Sequence, residues 1–446
     1  MVFALLVPLV FIHIRYQPSW TVDIGSTEAT VALSDLAVLG CGLTGLFAGL
    51  RLGFAPLRAA WPIAAAAAVF LAFVLAATFY GAAIGEEYRF GTHLITALKL
   101  GEYALLGLAA PLVLRRAEDL VPLLATLTAW SVAATSGAVL QFLGLIDEER
   151  GRRPGQREPS FLGIHDLAAL SGATLAVGLA AIALGPRERR ENVLGAVAGV
   201  AGAIGLVLSG ALAGFVGVVA AAATVALLAR SRGTLTVRRA AALAAVIALV
   251  GAGLFALRIA NIDAFLRFIG VKPAHDTGTF AGESYVQRLV LGYIGTRIFL
   301  DHPVLGAGWQ ATTEEETYGP YVPDARRRYP DASPIAFPSP KHPWGVQNAY
   351  IQAAAELGVV GLAVFLALFA AGFLVAGRAF ARAPPAAALA ASVPILWLLV
   401  AMGVWLGLGL VAGIPLVGLQ WLALGLAAAA PSWVDVCGSE PQTLSG

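Results

Sequence analysis

Residues 347–377 read QNAYIQAAAELGVVGLAVFLALFAAGFLVAG, and Glu356 is the one charged residue among them. A helix needs about 20 predominantly apolar residues to cross the hydrocarbon core of a bilayer. The run after Glu356 meets that length, so it predicts a membrane-spanning helix. The helix begins with amides and a tyrosine and holds its carboxylate about two turns further in, which indicates a polar site where it enters the membrane.

The same apolar character extends over the chain. Of its 446 residues, 59% are hydrophobic and 13% are charged, and the net charge is +2. A soluble chain carries about 25% charged residues, so this composition excludes an ordinary soluble protein. The apolar runs are longer than the alternating strands of about 10 residues in a membrane barrel. The sequence therefore predicts an all-α polytopic membrane protein.

Apolar runs of spanning length predict about twelve transmembrane helices. Residues 195–229 fit two spans or a single bent one, and the Ser209–Gly210 break favours two. The first run, MVFALLVPLVFI, lacks the basic start and small-residue cleavage site of a signal peptide, so we interpret it as a short span. The predicted spans are 1–14, 31–50, 60–82, 93–114, 119–144, 165–185, 192–208, 211–229, 239–260, 347–377, 386–406 and 409–430.

Arginines mark every second short loop between these spans, and short arginine-rich loops face the cytoplasm. Both termini are then cytoplasmic, and the loops at 145–164 and 261–346 are external. The predicted divisions are nine N-terminal spans (1–260), a large periplasmic loop (261–346), three C-terminal spans (347–430) and a cytoplasmic tail (431–446). The arginines used for orientation are Arg51, Arg58, Arg115, Arg116, Arg187, Arg189, Arg190, Arg230, Arg232, Arg238, Arg239, Arg378 and Arg382.

The external loop at 261–346 is the longest polar stretch of the chain. Its first half, SYVQRLVLGYIGTRIFLDHPVLG, has apolar residues at helical spacing and predicts an amphipathic helix over the membrane surface. The loop also holds His275, His302 and His342. No histidine spacing fits a metal site, and Cys41 and Cys437 fit unreactive thiols.

Charged residues at membrane depth are candidate ligand contacts. Lys99 and Glu102 are three residues apart and share a helix face, so they fit either a mutual ion pair or a cavity in which Lys99 meets an anionic ligand. Arg157, Arg288 and Arg297 are external, and a guanidinium matches phosphate geometry. These arginines fit a lipid-linked phosphate, lipid headgroups or a solvated surface.

Three segments in order resemble the O-antigen ligase and polymerase superfamily. SYVQR (284–288) matches an external arginine, DHPVLGAGWQ (301–310) a hPllGvG turn, and VQNAYIQAAAELGVVGL (346–362) a HNxyLqxxxElGxxGl segment entering the next span. QREPSFLGIHDLAAL (156–170) is similar to the family's earlier arginine segment.

This resemblance implies a GT-C-like glycosyltransferase of the bacterial inner membrane, with its site facing the periplasm. Such enzymes move a glycan from undecaprenyl diphosphate to an acceptor hydroxyl on the lipid A core or on a second lipid-linked glycan, without metal or cofactor and with inversion. Arg157 and Arg288 would neutralise the diphosphate, and His342 would be the catalytic base. The expected substrate contacts are Lys99, Arg297, Gln347, Asn348, Tyr350 and Glu356.

The chain departs from the family pattern at two positions. Gln347 stands where the family has histidine, and Gly210 follows Ser209 where many relatives have arginine. Glutamine is no base at neutral pH, so either His342 replaces the histidine or the reaction needs no base. A transporter or flippase of a lipid-linked or anionic solute, and a non-catalytic scaffold of polysaccharide assembly, are the alternative functions.

Overall fold

The computed structural model describes residues 1–25, 27–147, 155–185, 188–272, 283–411 and 413–435. His275, Cys437 and most of the predicted tail lie outside these ranges. The described residues are predominantly helical. Their α-helices are α1 Val2–Val10, α2 Leu33–Leu52, α3 Ala55–Ala59, α4 Trp61–Ile84, α5 Phe90–Tyr103, α6 Leu105–Val113, α7 Leu120–Phe142, α8 Ile164–Leu184, α9 Arg189–Ser209, α10 Leu212–Ser231, α11 Val237–Phe268, α12 Glu283–Asp301, α13 Glu315–Tyr318, α14 Val322–Arg328, α15 Ala349–Arg382, α16 Ala388–Val404 and α17 Pro415–Asp435.

Ten helical stretches of the described chain are long and apolar enough to cross a membrane. They confirm the prediction of an all-α polytopic membrane protein. The predicted spans 1–14 and 386–406 correspond to α1 and α16, which have 9 and 17 residues. Helix α1 is shorter than a membrane crossing requires and α16 is at the lower limit of about 17 residues, so the count of twelve stays a prediction. The ten stretches are α2, α4, α5 with α6, α7, α8, α9, α10, α11, α15 and α17.

Helix α8 is the central helix of the bundle and is buried along almost its entire length. It packs closely on α9 because small residues face each other between them. A Cβ on Gly178 would lie 2.5 Å from the Cα of Gly199, and a Cβ on Gly202 would lie 2.4 Å from the backbone nitrogen of Leu175. Membrane helices associate through such close backbone approach, since lipid supplies no hydrophobic driving force between them.

A short antiparallel hairpin joins α1 to α2. Strand β1, Ser19–Ile24, pairs with β2, Thr27–Ala32, so that Trp20 lies opposite Val31. The sequence analysis did not predict these strands. The segment just before the hairpin, residues 13–16, reaches the candidate site described below.

The loop at 261–346, which is predicted to be external, has a small core of its own among its described residues. Val286, Val290, Ile294 and Ile298 recur every four residues along α12 and pack with Phe337 and other buried loop residues. The same cluster includes Ala355 of α15, so α12 lies against the start of that helix. The helix predicted over 284–306 is therefore α12, and its apolar side faces the loop core and α15.

The turn at 303–308 docks on a break in α15. The backbone amides of Ala307 and Gly308 donate to the carbonyls of Ala355 and Glu356, at 2.9 and 3.0 Å. In exchange, the amide of Val359 donates to the carbonyl of Pro303 at 2.8 Å. The turn thus takes the place of the helical hydrogen bonds that α15 lacks at this point.

Gly358 makes this break possible. Its φ of 67° and ψ of −171° belong to a region that glycine alone adopts readily. A Cβ there would lie 2.1 Å from the carbonyl oxygen of Val304, and a Cβ on Gly306 would lie 2.2 Å from the carbonyl carbon of Glu356. Gly306 of the PVLGAG turn and Gly358 of the AELG sequence therefore lie on opposite sides of the same backbone contact.

A second tether fixes the loop to α5. The carboxylate of Glu314 bonds the ring of His93 and accepts from the Nε of Arg89 at 2.9 Å. Nearby, the indole Nε1 of Trp309 donates to the Oγ1 of Thr96 at 2.8 Å. Burial raises the pKa of Glu314, but the hydrogen bonds from His93 and Arg89 outweigh it and hold that pKa below its ordinary value.

Glu314→Gln is expected to loosen the loop at neutral pH. A lowered folded-state pKa means that ionised Glu314 contributes stability above its unfolded pKa of about 4.3, and that this contribution is lost as pH falls through the folded value. We expect a loss of about 1.5–3 kcal/mol at pH 7, measured as faster limited proteolysis of the loop. The difference from wild type should shrink below about pH 4.

Glu315→Gln is the matched control, because Glu315 is the neighbouring carboxylate and is exposed. It should leave the proteolysis rate unchanged. Equal rates for wild type and Glu314→Gln at pH 7 would contradict the proposed tether.

Candidate functional site

A cavity of about 410 Å³ lies where the N-terminal helices meet α12 and the start of α15. Three of its lining residues are arginines, and Asp166 is the one carboxylate in the described lining. The surplus of positive charge suits an anionic ligand. The lining residues that are charged, titratable or amide-bearing are His13, Arg15, Tyr16, Arg157, His165, Asp166, Gln287, Arg288 and Gln347.

Main-chain contacts hold the segment that carries Arg157. The amide of Glu158 donates to the carbonyl of Leu208 at 2.8 Å, and the amide of Ser160 donates to the side-chain oxygen of Gln141 at 2.8 Å. The carbonyl of Phe161 accepts from the amide of His13 at 3.1 Å, which brings the N-terminal segment to the same place. Arg157 therefore enters the cavity from a fixed backbone.

Arg288 enters from α12, and neutral groups hold its guanidinium. Its Nε donates to the carbonyl of Gly407 at 3.2 Å, its Nη1 to the carbonyl of Ser284 at 3.4 Å, and its Nη2 to the Nε2 of His165 at 3.1 Å. Within the described chain, no carboxylate lies within ion-pair distance of it. Arg288 is half-buried, and a cation that is partly withdrawn from water without a counter-ion is costly, so the cavity favours an anion beside it.

A second arginine, Arg258, lies near Arg288 and adds to the positive charge that an anion would neutralise. Burial lowers the pKa of Arg288 below its ordinary value, Tyr285 opposes that shift, and the neighbouring Arg258 adds to it. Arg258 is buried on α11, its Nε donates to the hydroxyl of Tyr285 at 3.1 Å, and its guanidinium lies 4.9 Å from the centre of that ring. Guanidinium groups keep their charge at any physiological pH. Two cations are thus held close together in a desolvated environment.

Arg258 was not among the site residues predicted from the sequence, although its position gave a signal. It is an arginine inside the predicted span 239–260, where an ionisable group marks a candidate functional site. The structure also connects it with the departure at Gly210. A Cβ on Gly210 would lie 3.0 Å from the Cβ of Arg157 and 3.2 Å from the Cδ of Arg258. These two arginines occupy the space beside the position where many relatives have their own.

The segment just before α15 contributes one residue, Gln347, to the described cavity lining. The next residue, Asn348, caps the helix: its Oδ1 accepts from the amides of Tyr350 and Ile351 at 3.0 Å each. The hydroxyl of Tyr350 donates to the carbonyl of Met402 at 2.8 Å. Asn348 and Tyr350 thus hold the rim of the cavity in place.

Glu356 is fully buried and binds protein groups. It accepts from the amide of Gln310 at 2.9 Å, from the hydroxyl of Thr312 at 2.5 Å and from the amide nitrogen of Gln352 at 3.0 Å. The side-chain oxygen of Gln352 in turn accepts from the amide of Leu410 at 2.5 Å. Glu356 therefore joins the external loop to α15 and, through Gln352, to the segment that closes the cavity.

Three predicted site residues lie elsewhere. Lys99 donates to the carboxylate of Asp35 at 2.8 Å, so its ion pair is with α2 and not with Glu102. Arg297 is exposed on α12. His342 is exposed and stacks on Trp344, with ring centres 5.6 Å apart. None of the three is part of the described cavity lining.

Comparison with known families identifies part of this architecture. Residues 197–366 match the family described as O-antigen ligase. The match covers 170 of the 446 residues. This match confirms the predicted O-antigen ligase and polymerase superfamily. In general terms, the match and the apolar helices support a multi-pass membrane protein of the O-antigen ligase or polymerase type. No curated protein matches the chain.

The residues that match the O-antigen ligase family supply only part of the cavity. Arg288, Gln347 and the nearby Arg258 fall inside residues 197–366. Arg157 and His165 come from the chain before it, as does the N-terminal segment 13–16. The similarity that we noted at 156–170 lies outside the matched residues. The cavity is therefore lined by residues of the matched segment and by residues that come before and after it in the chain, among them Leu408, Val411 and Ile414.

Proposed function

We propose that this protein transfers a glycan from an undecaprenyl-diphosphate donor to an acceptor hydroxyl on the external side of the bacterial inner membrane. The observation that carries the proposal is the arginine-lined cavity, in which Arg288 has only neutral partners among the described residues. A diphosphate supplies the missing counter-charge. Its lipid tail would remain in the bilayer. The arginine-rich short loops, predicted to be cytoplasmic, support a cavity at the outer face.

The reaction needs stabilisation of a leaving diphosphate. The acceptor oxygen bonds to the anomeric carbon while the bond from that carbon to the phosphate oxygen breaks, and direct attack inverts the configuration. The electron pair remains on the diphosphate. Arg157 and Arg288 bind the developing charge, and Arg258 adds to the positive potential behind them. Fixed cations in a desolvated site perform the task that a metal performs elsewhere, so we propose a metal-independent, GT-C-like enzyme.

The other residues predicted to contact substrate have different roles in the proposed reaction. Gln347 lines the cavity and can donate to a sugar or phosphate oxygen. Asn348, Tyr350 and Glu356 keep the rim in shape through protein contacts. Lys99 and Arg297 would meet substrate only outside the described cavity.

An assay with purified protein tests the proposal. The donor is an undecaprenyl-diphosphate oligosaccharide, and the acceptor is either lipid A core or a second lipid-linked oligosaccharide, with and without EDTA. Product with either acceptor, unchanged by EDTA, supports glycan transfer and identifies ligase or polymerase activity. Movement of donor between leaflets of a vesicle without bond formation would favour the transporter or flippase alternative. A protein that does neither would act as a scaffold.

A further inference from the structure

His165 lies beside Arg288 in the cavity, although the two residues are 123 positions apart in the chain. The Nη2 of Arg288 donates to the Nε2 of His165 at 3.1 Å. A guanidinium has donors only, so the Nε2 carries a lone pair and the imidazole is neutral. The cavity therefore holds a proton acceptor in contact with the arginine that would bind the leaving group.

The other polar groups around His165 are less suited to accept a proton. The Oδ1 of Asp166 accepts from the amide of Leu416 at 3.1 Å, and the Nδ1 of His13 accepts from the amide of Arg15 at 3.3 Å. Gln347 is an amide. Tyr16 is a phenol, which is protonated at neutral pH, and the remaining charged groups of the lining are the cations Arg15, Arg157 and Arg288. Glu158 and Arg258 are buried and are not among the described lining residues.

We propose that the Nε2 of His165 is the base that accepts the proton of the acceptor hydroxyl. The proposal rests on the proposed glycan transfer. Binding of the diphosphate draws the Nη2 of Arg288 to a phosphate oxygen and releases the Nε2. The acceptor oxygen then bonds to the anomeric carbon, the carbon–oxygen bond to phosphate breaks with its electrons on the diphosphate, and the hydroxyl proton moves to the Nε2.

The contact with Arg288 explains why this base would work only with donor bound. Before binding, the Nη2 of Arg288 occupies the lone pair of the Nε2, so the ring cannot take the hydroxyl proton there. Once the diphosphate is present, its negative charge offsets the arginines and stabilises the imidazolium formed in the reaction. His165 loses this proton to water before the next turnover.

His165→Gln is the discriminating variant, because the amide oxygen still accepts from Arg288 but cannot take a proton. His165 is the second residue of α8 and is half-buried, so the exchange leaves the bundle packing intact. We expect kcat to fall about 10²- to 10⁴-fold, with the donor KM changed less than about threefold. In wild type, kcat should fall on the acid side of a profile measured between pH 5 and pH 9. In His165→Gln this fall should be absent.

His342→Gln is the rival variant, since His342 is the base candidate chosen from sequence. Loss of this acid-side fall in His342→Gln and its retention in His165→Gln would overturn the proposal. So would a raised donor KM with unchanged kcat in His165→Gln, because His165 would then only orient Arg288. Unchanged thermal unfolding of each variant in detergent shows that it is folded.

Failure of the two proposals gives different results. If the wild-type protein makes no product with either acceptor, the proposed glycan transfer fails and the role of His165 fails with it. If the wild type makes product and His165→Gln does so at the same rate and with the same pH profile, only the role of His165 is refuted.

Discussion

Replacement of Arg288 by alanine is expected to lower glycan transfer by about 10³-fold or more while the protein still folds. The change removes a guanidinium that lies in the cavity without a carboxylate partner among the described residues. An arginine that stabilises transferring phosphate charge contributes about 10³–10⁵ in kcat. Arg288→Lys should be intermediate, because lysine keeps the charge but loses the planar fork that meets two phosphate oxygens. The measurement is kcat and donor KM with purified protein.

Arg328→Ala is the control for Arg288→Ala. Arg328 is an exposed arginine of the same external loop, at the end of α14 and outside the cavity lining. It should keep the wild-type rate. An Arg288→Ala protein that retained more than a tenth of wild-type kcat would refute the role of Arg288 in binding the leaving group.

Gly358→Ala is expected to detach the external loop from α15 and abolish transfer. The new Cβ would lie 2.1 Å from the carbonyl oxygen of Val304, on a backbone with φ of 67° and ψ of −171°. Such a conformation costs a non-glycine residue about 1–3 kcal/mol, and the steric clash adds to that cost. Either α15 becomes regular at residue 358 or the turn at 303–308 moves away. Both outcomes break the contacts of Glu356 with Gln310 and Thr312.

Limited proteolysis of the external loop and thermal unfolding in detergent measure this effect. Gly377→Ala is the matched control, because Gly377 lies in the same helix and no atom lies within 4 Å of its added Cβ. That control should be neutral or stabilising by up to about 1 kcal/mol, as alanine favours a helix over glycine. Equal protease resistance of Gly358→Ala and wild type would show that the loop does not need the break in α15.

The amino-acid sequence determined the membrane class, the position of most helices and the polar site at the start of α15. These features follow from local chemistry, since a bilayer accepts only long apolar helices and the length of each run is visible in the chain. It also determined the superfamily, because the DHPVLGAGWQ turn and the QNAYIQAAAELG segment are contiguous motifs. The helix predicted in the external loop corresponds to α12 for the same reason, as its apolar residues recur at helical spacing.

Only the tertiary structure decided which side chains meet. His165 and Arg288 lie in contact across 123 residues, Lys99 pairs with Asp35 across 64, and Arg258 lies beside Gly210 from another helix. From the sequence, Lys99 fitted either an ion pair with Glu102 or an anionic ligand, and His342 was the candidate base, because sequence spacing relates only residues on one helix or in one loop. Contacts between helices depend on how each helix is rotated and shifted against its neighbours. Apolar runs do not encode that rotation, because the whole circumference of a membrane helix is apolar.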